Sequence, residues 1–317
     1  MQGGPLHARL GPLSFGGAPI GNLGHAISDE QARATVDAAW GAGVRYFDTA
    51  PHYGLGLSER RLGAALGGRP RDEYMISTKV GRLLEPAAGG GRDDEGFDVP
   101  ATHTRVRDYS RDGVLRSLEA SLRRLGLDRV DIVLVHDPDE HYRQALDGAL
   151  PALDELRAQG VIGAYGAGMN QSAMLTEFVR HTDLDAVLVA GRYTLLDRSA
   201  EDDLLPACQE RGVAVIAGGV FNSGVLATER PGPGATYDYA PAPPPILARA
   251  AELATICEAR GVPLPAAAVQ FPLRHPAVAT VCLGAHTAEQ VRRNAHLLEV
   301  PVPDALWAEL QVRPPAE

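Results

Sequence analysis

Short apolar runs and amphipathic segments alternate along the whole chain. LSFGGAPIG is a first strand-like run. SDEQARATVDAAWGAG follows as a helix, with Ser28 placed to cap its start and Gly41 or Gly43 near its end. VRYFDT is a second strand, SERRLGAAL a helix opened by Ser58, and YMISTKV a third strand. RDGVLRSLEASLRRLGL carries apolar residues three and four apart, which predicts an amphipathic helix, and VDIVLVH is a fourth strand. The pattern then repeats: RQALDGALPALDELRAQG helical, VIGAYGAG extended, SAMLTEFVRHT helical, LDAVLVAG extended, SAEDDLLPACQERG helical, VAVIAGG extended. ILARAAELATICEARG and LPAAAVQFPLRHP read as helices, VATVCLG as the eighth strand, TAEQVRRNAHLLE as a helix opened by Thr287, and PDALWAELQ as a last one.

Strands separated by helices point to parallel pairing, because each parallel crossover needs a helix-sized connection. Eight such units within 317 residues predict a (β/α)8 TIM barrel, one domain over residues 1–317, with a doubly wound open sheet as the alternative. Two long segments are expected to be irregular: GRLLEPAAGGGRDDEGFDVPATHTRVRDY after strand three and VFNSGVLATERPGPGATYDYAPAPPP after strand seven. Both follow strands, so in a barrel both lie at the C-terminal face, where barrel enzymes place their chemistry. Their tips, AAGGG and RPGPGA, read as decoration, whereas FNSG leaves its strand directly and reads as a ligand contact.

Composition narrows the function classes. A net charge of −10 argues against nucleic acid or an anionic membrane as the main partner. No apolar run approaches the roughly 18 residues of a membrane span, and the N-terminal MQGGPLHARLGPLSFGG has no signal-peptide core. Cys208, Cys257 and Cys282 lack CxxC or zinc spacing and read as reduced, buried thiols of a cytoplasmic protein. HExxH, P-loop and GxSxG motifs are absent, and no GxGxxG follows the first strand. His136 and His141 beside Asp137, Asp139 and Glu140 offer a metal reading, which a loop just past a strand and a metal-free chemistry disfavour.

Four chemical groups sit at strand ends on one side of the expected barrel. Asp48 ends strand two, Tyr53 lies in the loop after it with His52 beside it, Lys79 ends strand three and His136 ends strand four. A free tyrosine with a pKa of about 10 is a poor proton shuttle near neutrality. An adjacent ammonium favours its phenolate, an aspartate holds that ammonium, and a histidine hydrogen-bonds the substrate oxygen. This is acid–base machinery for interconverting an alcohol and a carbonyl, and it implies a nicotinamide to take the hydride. LGAHTAEQVRRN, after strand eight, suits a phosphate: small residues at Gly284 and Ala285, then His286 and a helix capped by Thr287.

FDTAPHYG, STKV, DIVLVHDPD and GAHTAEQVRRN resemble, in order and spacing, the motifs of the aldo-keto reductase superfamily. The resemblance implies that Tyr53 is the acid–base residue, that Lys79 and Asp48 tune it and that His136 orients the substrate. It places Asn170 and Gln171 of YGAGMNQ at the nicotinamide amide and Phe221, Asn222 and Ser223 at the pyrophosphate. Gly284, Ala285, His286, Gln290, Arg293 and Asn294 fall in the last cofactor loop and its helix. The cofactor implied is NAD or NADP. NAD is favoured because Gly284, His286 and Gln290 stand where many members carry a basic residue for the 2′-phosphate, while Arg292 and Arg293 lie further along. LVHDPDEH, LPALDELRAQGVIGAYGAGMNQ, LVAGRYTLLD and AGGVFNSGVLA resemble the D-threo-aldose 1-dehydrogenase branch, also called L-fucose or D-arabinose dehydrogenases. This implies a sugar substrate oxidised at its anomeric hydroxyl to an aldonolactone. A pyridoxal or general carbonyl oxidoreductase, or a cofactor-binding regulator like the potassium-channel β subunits, shares the barrel.

Overall fold

A computed structural model of the chain describes residues 5–87 and 90–310. Residues 1–4 of the N-terminal segment, Ala88 and Gly89 at the first loop tip and Gln311 of the expected last helix lie outside them. Eight parallel strands close into a barrel: β1 (Leu13–Gly16), β2 (Tyr46–Asp48), β3 (Met75–Val80), β4 (Ile132–His136), β5 (Ala164–Met169), β6 (Ala186–Ala190), β7 (Ala214–Gly218) and β8 (Val278–Gly284). The order round the barrel is that of the chain, and β8 closes it against β1 through Leu13↔Val281 and Phe15↔Leu283. The open-sheet alternative is thereby set aside.

Side-chain alternation divides each strand between two apolar clusters. Phe47, Ile76, Val133 and Val135 pack outward against the helices. Tyr46, Met75, Ile132, Leu134, Leu188 and Ile216 fill the barrel, and Leu10 of the short helix Pro5–Leu10 joins them at the floor. Both faces are covered, so the strands are buried along nearly their whole length and read in sequence as continuous apolar runs. The same period of two gives Asp48 the parity of Tyr46, Lys79 that of Met75 and His136 that of Ile132. All three therefore point into the barrel, at the end where the strands stop.

Three helix starts carry side-chain caps. Ser28 accepts from the Gln31 amide at 3.1 Å, Ser110 from Gly113 at 3.1 Å and Thr287 from Gln290 at 3.1 Å. Ser58 departs from the expected role. The helix is Leu57–Leu66, the cap position belongs to Gly56 with φ +79°, and Ser58 is buried inside. Its hydroxyl donates to the Gly17 carbonyl at 2.7 Å and lies 2.7 Å from Thr49 Oγ1, joining β1, β2 and this helix.

The two long segments are more ordered than expected. The first contains an antiparallel hairpin, Arg82–Pro86 with His103–Arg107, in register from Arg82↔Arg107 to Pro86↔His103. Its strands are mostly polar and partly exposed, so no apolar alternation announces them. The second holds a 3-10 turn at Asn222–Gly224 and a small ribbon pairing Thr236–Tyr237 with Ala240–Pro241. RQALDGALPALDELRAQG is helical with a π-type stretch at Ala145–Ala149 before the helix Leu150–Ala158. The three cysteines are buried and free, and among the described residues no helix is long and apolar enough to cross a membrane.

Candidate active site

At the C-terminal mouth the Lys79 ammonium donates to Asp48 Oδ2 at 2.6 Å, to the Thr49 carbonyl at 3.0 Å and to the Tyr53 hydroxyl oxygen at 3.1 Å. An ammonium has three donors, so all of them are used. Asp48 is fixed from its other oxygen by the Ser77 hydroxyl at 2.7 Å, which itself lies 2.9 Å from Tyr46 OH. Because Lys79 donates to the Tyr53 oxygen, the phenol's own hydrogen is directed elsewhere, toward the mouth. His136 closes the set, its ring edge-on to Tyr53 with centroids 5.9 Å apart.

The charges explain the protonation states. Burial, the largest influence, would discharge Lys79, but the Asp48 carboxylate and the Tyr53 oxygen together outweigh it and raise the ammonium above its ordinary value. Burial raises the Tyr53 phenol; Lys79 opposes this, and Asp48 adds to it. The phenol is thus held protonated at rest, with the lysine limiting rather than reversing the shift, in contrast to the lowered value expected from the ammonium alone. His136 is pushed well below the imidazole range by burial, then by Arg82 and Lys79, and stays neutral.

His136 is positioned through its backbone. Tyr109 OH reaches the carbonyls of His136 at 2.7 Å and Asp137 at 2.8 Å, and the Tyr109 ring leaves no room for a side chain at Gly81, where φ is +102° and an added Cβ would sit 2.2 Å from the ring. Arg82 donates to Asp137 Oδ2 at 2.6 Å. The wall of the mouth comes from the hairpin segment and the Tyr53 loop: Phe97 lies 5.9 Å from Tyr53 and 5.1 Å from His52, and His52 lies 5.6 Å from His136. Ser77, Tyr109, Arg82 and Phe97 were not singled out from sequence. The adjacency of His52 to Tyr53 was visible; the arrival of Phe97 from a distant loop was not.

The candidate cofactor residues divide into two groups. Asn222 is buried, its Nδ2 donating to the Gly191 carbonyl at 3.2 Å while its Oδ1 has no hydrogen-bond partner among the described residues. Asn222 and Ser223 both hold positive φ, 44° and 59°, in a strained turn closed by the Asn222 amide donating to the Gly219 carbonyl at 2.8 Å and the Gly224 amide to that of Phe221 at 2.9 Å. Phe221 is half-buried beside them, and Gly284 ends β8 against Pro19, where a Cβ would sit 2.7 Å from the ring. Ala285 and Asn294 are buried, and Asn170 is exposed just past β5. The others are engaged within the protein. Gln171 donates to Asp139 at 3.1 Å and accepts from the Met174 amide at 3.2 Å. Gln290 accepts the His286 amide at 2.7 Å, and the His286 ring stacks on His25 at 4.1 Å with Nε2 2.8 Å from the Leu23 carbonyl. Arg293 donates to the Ala227 carbonyl at 2.7 Å, tying the helix Ala288–Glu299 to the loop after β7. Arg292 is exposed. Among the described residues no three His, Cys, Asp or Glu side chains converge as metal ligands.

Comparison with known proteins agrees with the barrel fold. The aldo/keto reductase family model matches residues 12–312. The chain is 47% identical to D-threo-aldose 1-dehydrogenase from Pseudomonas sp, covering 94% of this chain and 92% of that one. It is 42% identical to pyridoxal 4-dehydrogenase from Microbacterium luteolum, again over 94% and 92%. Among solved structures, the glycerol dehydrogenase from Gluconobacter oxydans superposes with a TM-score of 0.77 at 26% identity, covering 94% of this chain and 89% of that one. The chain belongs to the aldo/keto reductase family.

Proposed function

We propose that this protein is an NAD(P)-dependent dehydrogenase that oxidises the anomeric hydroxyl of a cyclic aldose such as L-fucose or D-arabinose to the aldonolactone. The observation that carries the reading is the Lys79 ammonium held between Asp48 and the Tyr53 hydroxyl, with His136 across the mouth. The similarity to a D-threo-aldose 1-dehydrogenase over most of both chains supports the substrate class.

A bound nicotinamide supplies the acceptor for the C1 hydrogen and its electron pair. The buried Asn222 with its unpartnered Oδ1, the strained Asn222–Ser223 turn and the first-turn amides of the helix Ala288–Glu299 suit the polar groups of a dinucleotide. We assign Phe221, Gly284, Ala285, Asn294 and Asn170 to the same cofactor site, with His286, Gln290, Gln171 and Arg293, which are engaged within the protein, shaping it. With His286 and Gln290 so engaged and Arg293 turned to Ala227, NAD is favoured over NADP.

The residues act in fixed roles. His136, neutral, hydrogen-bonds the substrate oxygen. Tyr53 exchanges the hydroxyl proton: it donates when a carbonyl is reduced and, as phenolate, accepts when the alcohol is oxidised. Lys79 supports that phenolate and Asp48 keeps Lys79 charged. Since burial holds the phenol neutral at rest, oxidation should accelerate as pH rises, and reduction should do the opposite.

A pyridoxal oxidoreductase is the second reading, favoured by the similarity to pyridoxal 4-dehydrogenase. The deciding experiment titrates the protein with NAD and NADP, then follows reduced-cofactor absorbance with L-fucose, D-arabinose and pyridoxal. Turnover of pyridoxal with neither sugar would replace the first reading by the second.

A further inference from the structure

We infer that His52 is a positioning residue that selects substrates carrying hydroxyls beside the reacting carbon; the inference rests on the aldose reading above. Its ring belongs to a group that brackets one space: His52 lies 6.0 Å from Tyr53, 5.6 Å from His136 and 5.1 Å from Phe97, and Tyr53 lies 5.9 Å from both His136 and Phe97. Any molecule that reaches the Tyr53 hydroxyl and His136 passes alongside this imidazole, which is 14% exposed.

The chemistry of the wall is specific. Arg105 donates to the His52 carbonyl at 3.1 Å and to Asp93 at 2.5 Å, which fixes the backbone of the residue. Arg82 pairs with Asp137 at 2.6 Å, and the Glu95 carboxylate lies 3.7 Å from Arg82 and 3.5 Å from Arg105. Each cation here faces a carboxylate, so the wall presents hydrogen-bonding groups with its charges balanced. Glu95 Oε2 stands 3.8 Å from His52 Nδ1, beyond hydrogen-bond range, and among the described residues Nδ1 has no hydrogen-bond partner. Burial, followed by Arg82 and Arg105, pushes the ring down to about 2, so it stays neutral at every working pH. Nδ1 is a buried atom, so Nε2 is the ring nitrogen left to meet a substrate, and in a neutral imidazole it donates or accepts one hydrogen bond, either of which a sugar hydroxyl can answer. An anion finds no unopposed cation here, and a monofunctional carbonyl has nothing to offer the ring. Packing alone does not call for histidine: a phenyl ring would fill the contacts with Phe97 and His136 equally well.

The test compares His52→Phe, which keeps the ring, with His52→Asn, which keeps a donor and an acceptor. Each is assayed with L-fucose and D-arabinose in oxidation and with benzaldehyde in reduction, after cofactor Kd and thermal melting have checked the fold. His52→Phe should lower the ratio of aldose to benzaldehyde kcat/KM by about 10–10²-fold, mainly through KM, and His52→Asn should restore part of that ratio. An unchanged ratio in both variants would assign His52 to structure and overturn the inference while leaving the aldose reading intact. Wild-type protein that reduces benzaldehyde but oxidises no aldose would overturn the aldose reading and the inference with it. Should His52→Phe fail to fold, His52→Leu, which also lacks a donor and an acceptor, takes its place, an unchanged KM for both sugars together with a lowered melting temperature being the structural outcome.

Discussion

At the floor of the barrel, Asp131 accepts the Ile76 amide at 2.8 Å and Arg71 at 2.7 Å, and Asp185 accepts the Tyr165 amide and Arg157, each at 2.9 Å. At the mouth, Asp48 accepts Lys79 and Ser77, but the chain of contacts runs on to the Tyr53 hydroxyl, whose hydrogen is left over. Both ends hold carboxylates against cations at similar distances. The floor pairs tie a partly buried arginine to a strand amide, the arginine being held in turn by nearby loop and helix oxygens. The mouth pair lies inside the barrel, almost wholly buried, and hands its charge to a titrating group. A cleft of about 460 Å3 between Asp131, Asp185 and Arg211 lies at the floor, away from the chemistry. Neither cavity size nor the presence of an ion pair marks the site; what marks it is a polar atom with unused capacity next to a buried charge.

The difference predicts separable phenotypes. The largest concerns rate: Tyr53→Phe should lower kcat by about 10²–10⁴-fold with the melting temperature nearly unchanged. A wild-type rate would show that Tyr53 carries no proton. Next is Lys79→Met, which leaves the Asp48 carboxylate buried without its cation and should destabilise the fold by about 3–5 kcal/mol. Urea unfolding reads this loss, and the residual activity should have a pH profile displaced upward. Equal stability with an undisplaced profile would mean that the two groups are uncoupled.

Asp185→Asn at the floor should remove about 1–3 kcal/mol of stability and leave kcat per folded molecule unaltered. A fall in kcat comparable to that of Tyr53→Phe would erase the distinction between the two ends. The smallest effect is in pH. His52 and His136 are neutral in the folded protein, well below the ordinary imidazole value of about 6.5. As pH falls below about 6.5, the unfolded chain takes up these protons and the folded chain does not, so stability is highest above that pH and declines toward acid. Each group adds up to about 1.4 kcal/mol per pH unit. His52→Asn should flatten the acid limb of a stability curve measured by urea unfolding, and a limb as steep as wild type would place the lost protons elsewhere.

Much of the fold was legible because the barrel's own physics writes it into the chain. Strands covered on both faces become apolar runs, and Ser28 and Thr287 carry the amide-accepting side chains that helix starts need. Ser58 has the same chemistry and a different role, because its neighbours across the barrel, Gly17 and Thr49, offered its hydroxyl better partners than the helix amides. The hairpin after β3 escaped notice since its two strands pair polar residues across about twenty positions of sequence, without an apolar face to declare a period.

The sequence by itself determined the eightfold alternation, the strand-end placement of Asp48, Lys79 and His136 and, through their matching parity, their common direction. These are local properties of backbone period and apolar patterning. Only the tertiary structure decided that Lys79 spends its three donors on Asp48, Thr49 and Tyr53, that the phenol stays protonated under burial, and that Phe97 and His52 wall the mouth. Those outcomes depend on barrel register and on desolvation, which arise from residues far apart in the chain and leave no trace in the spacing of any one segment.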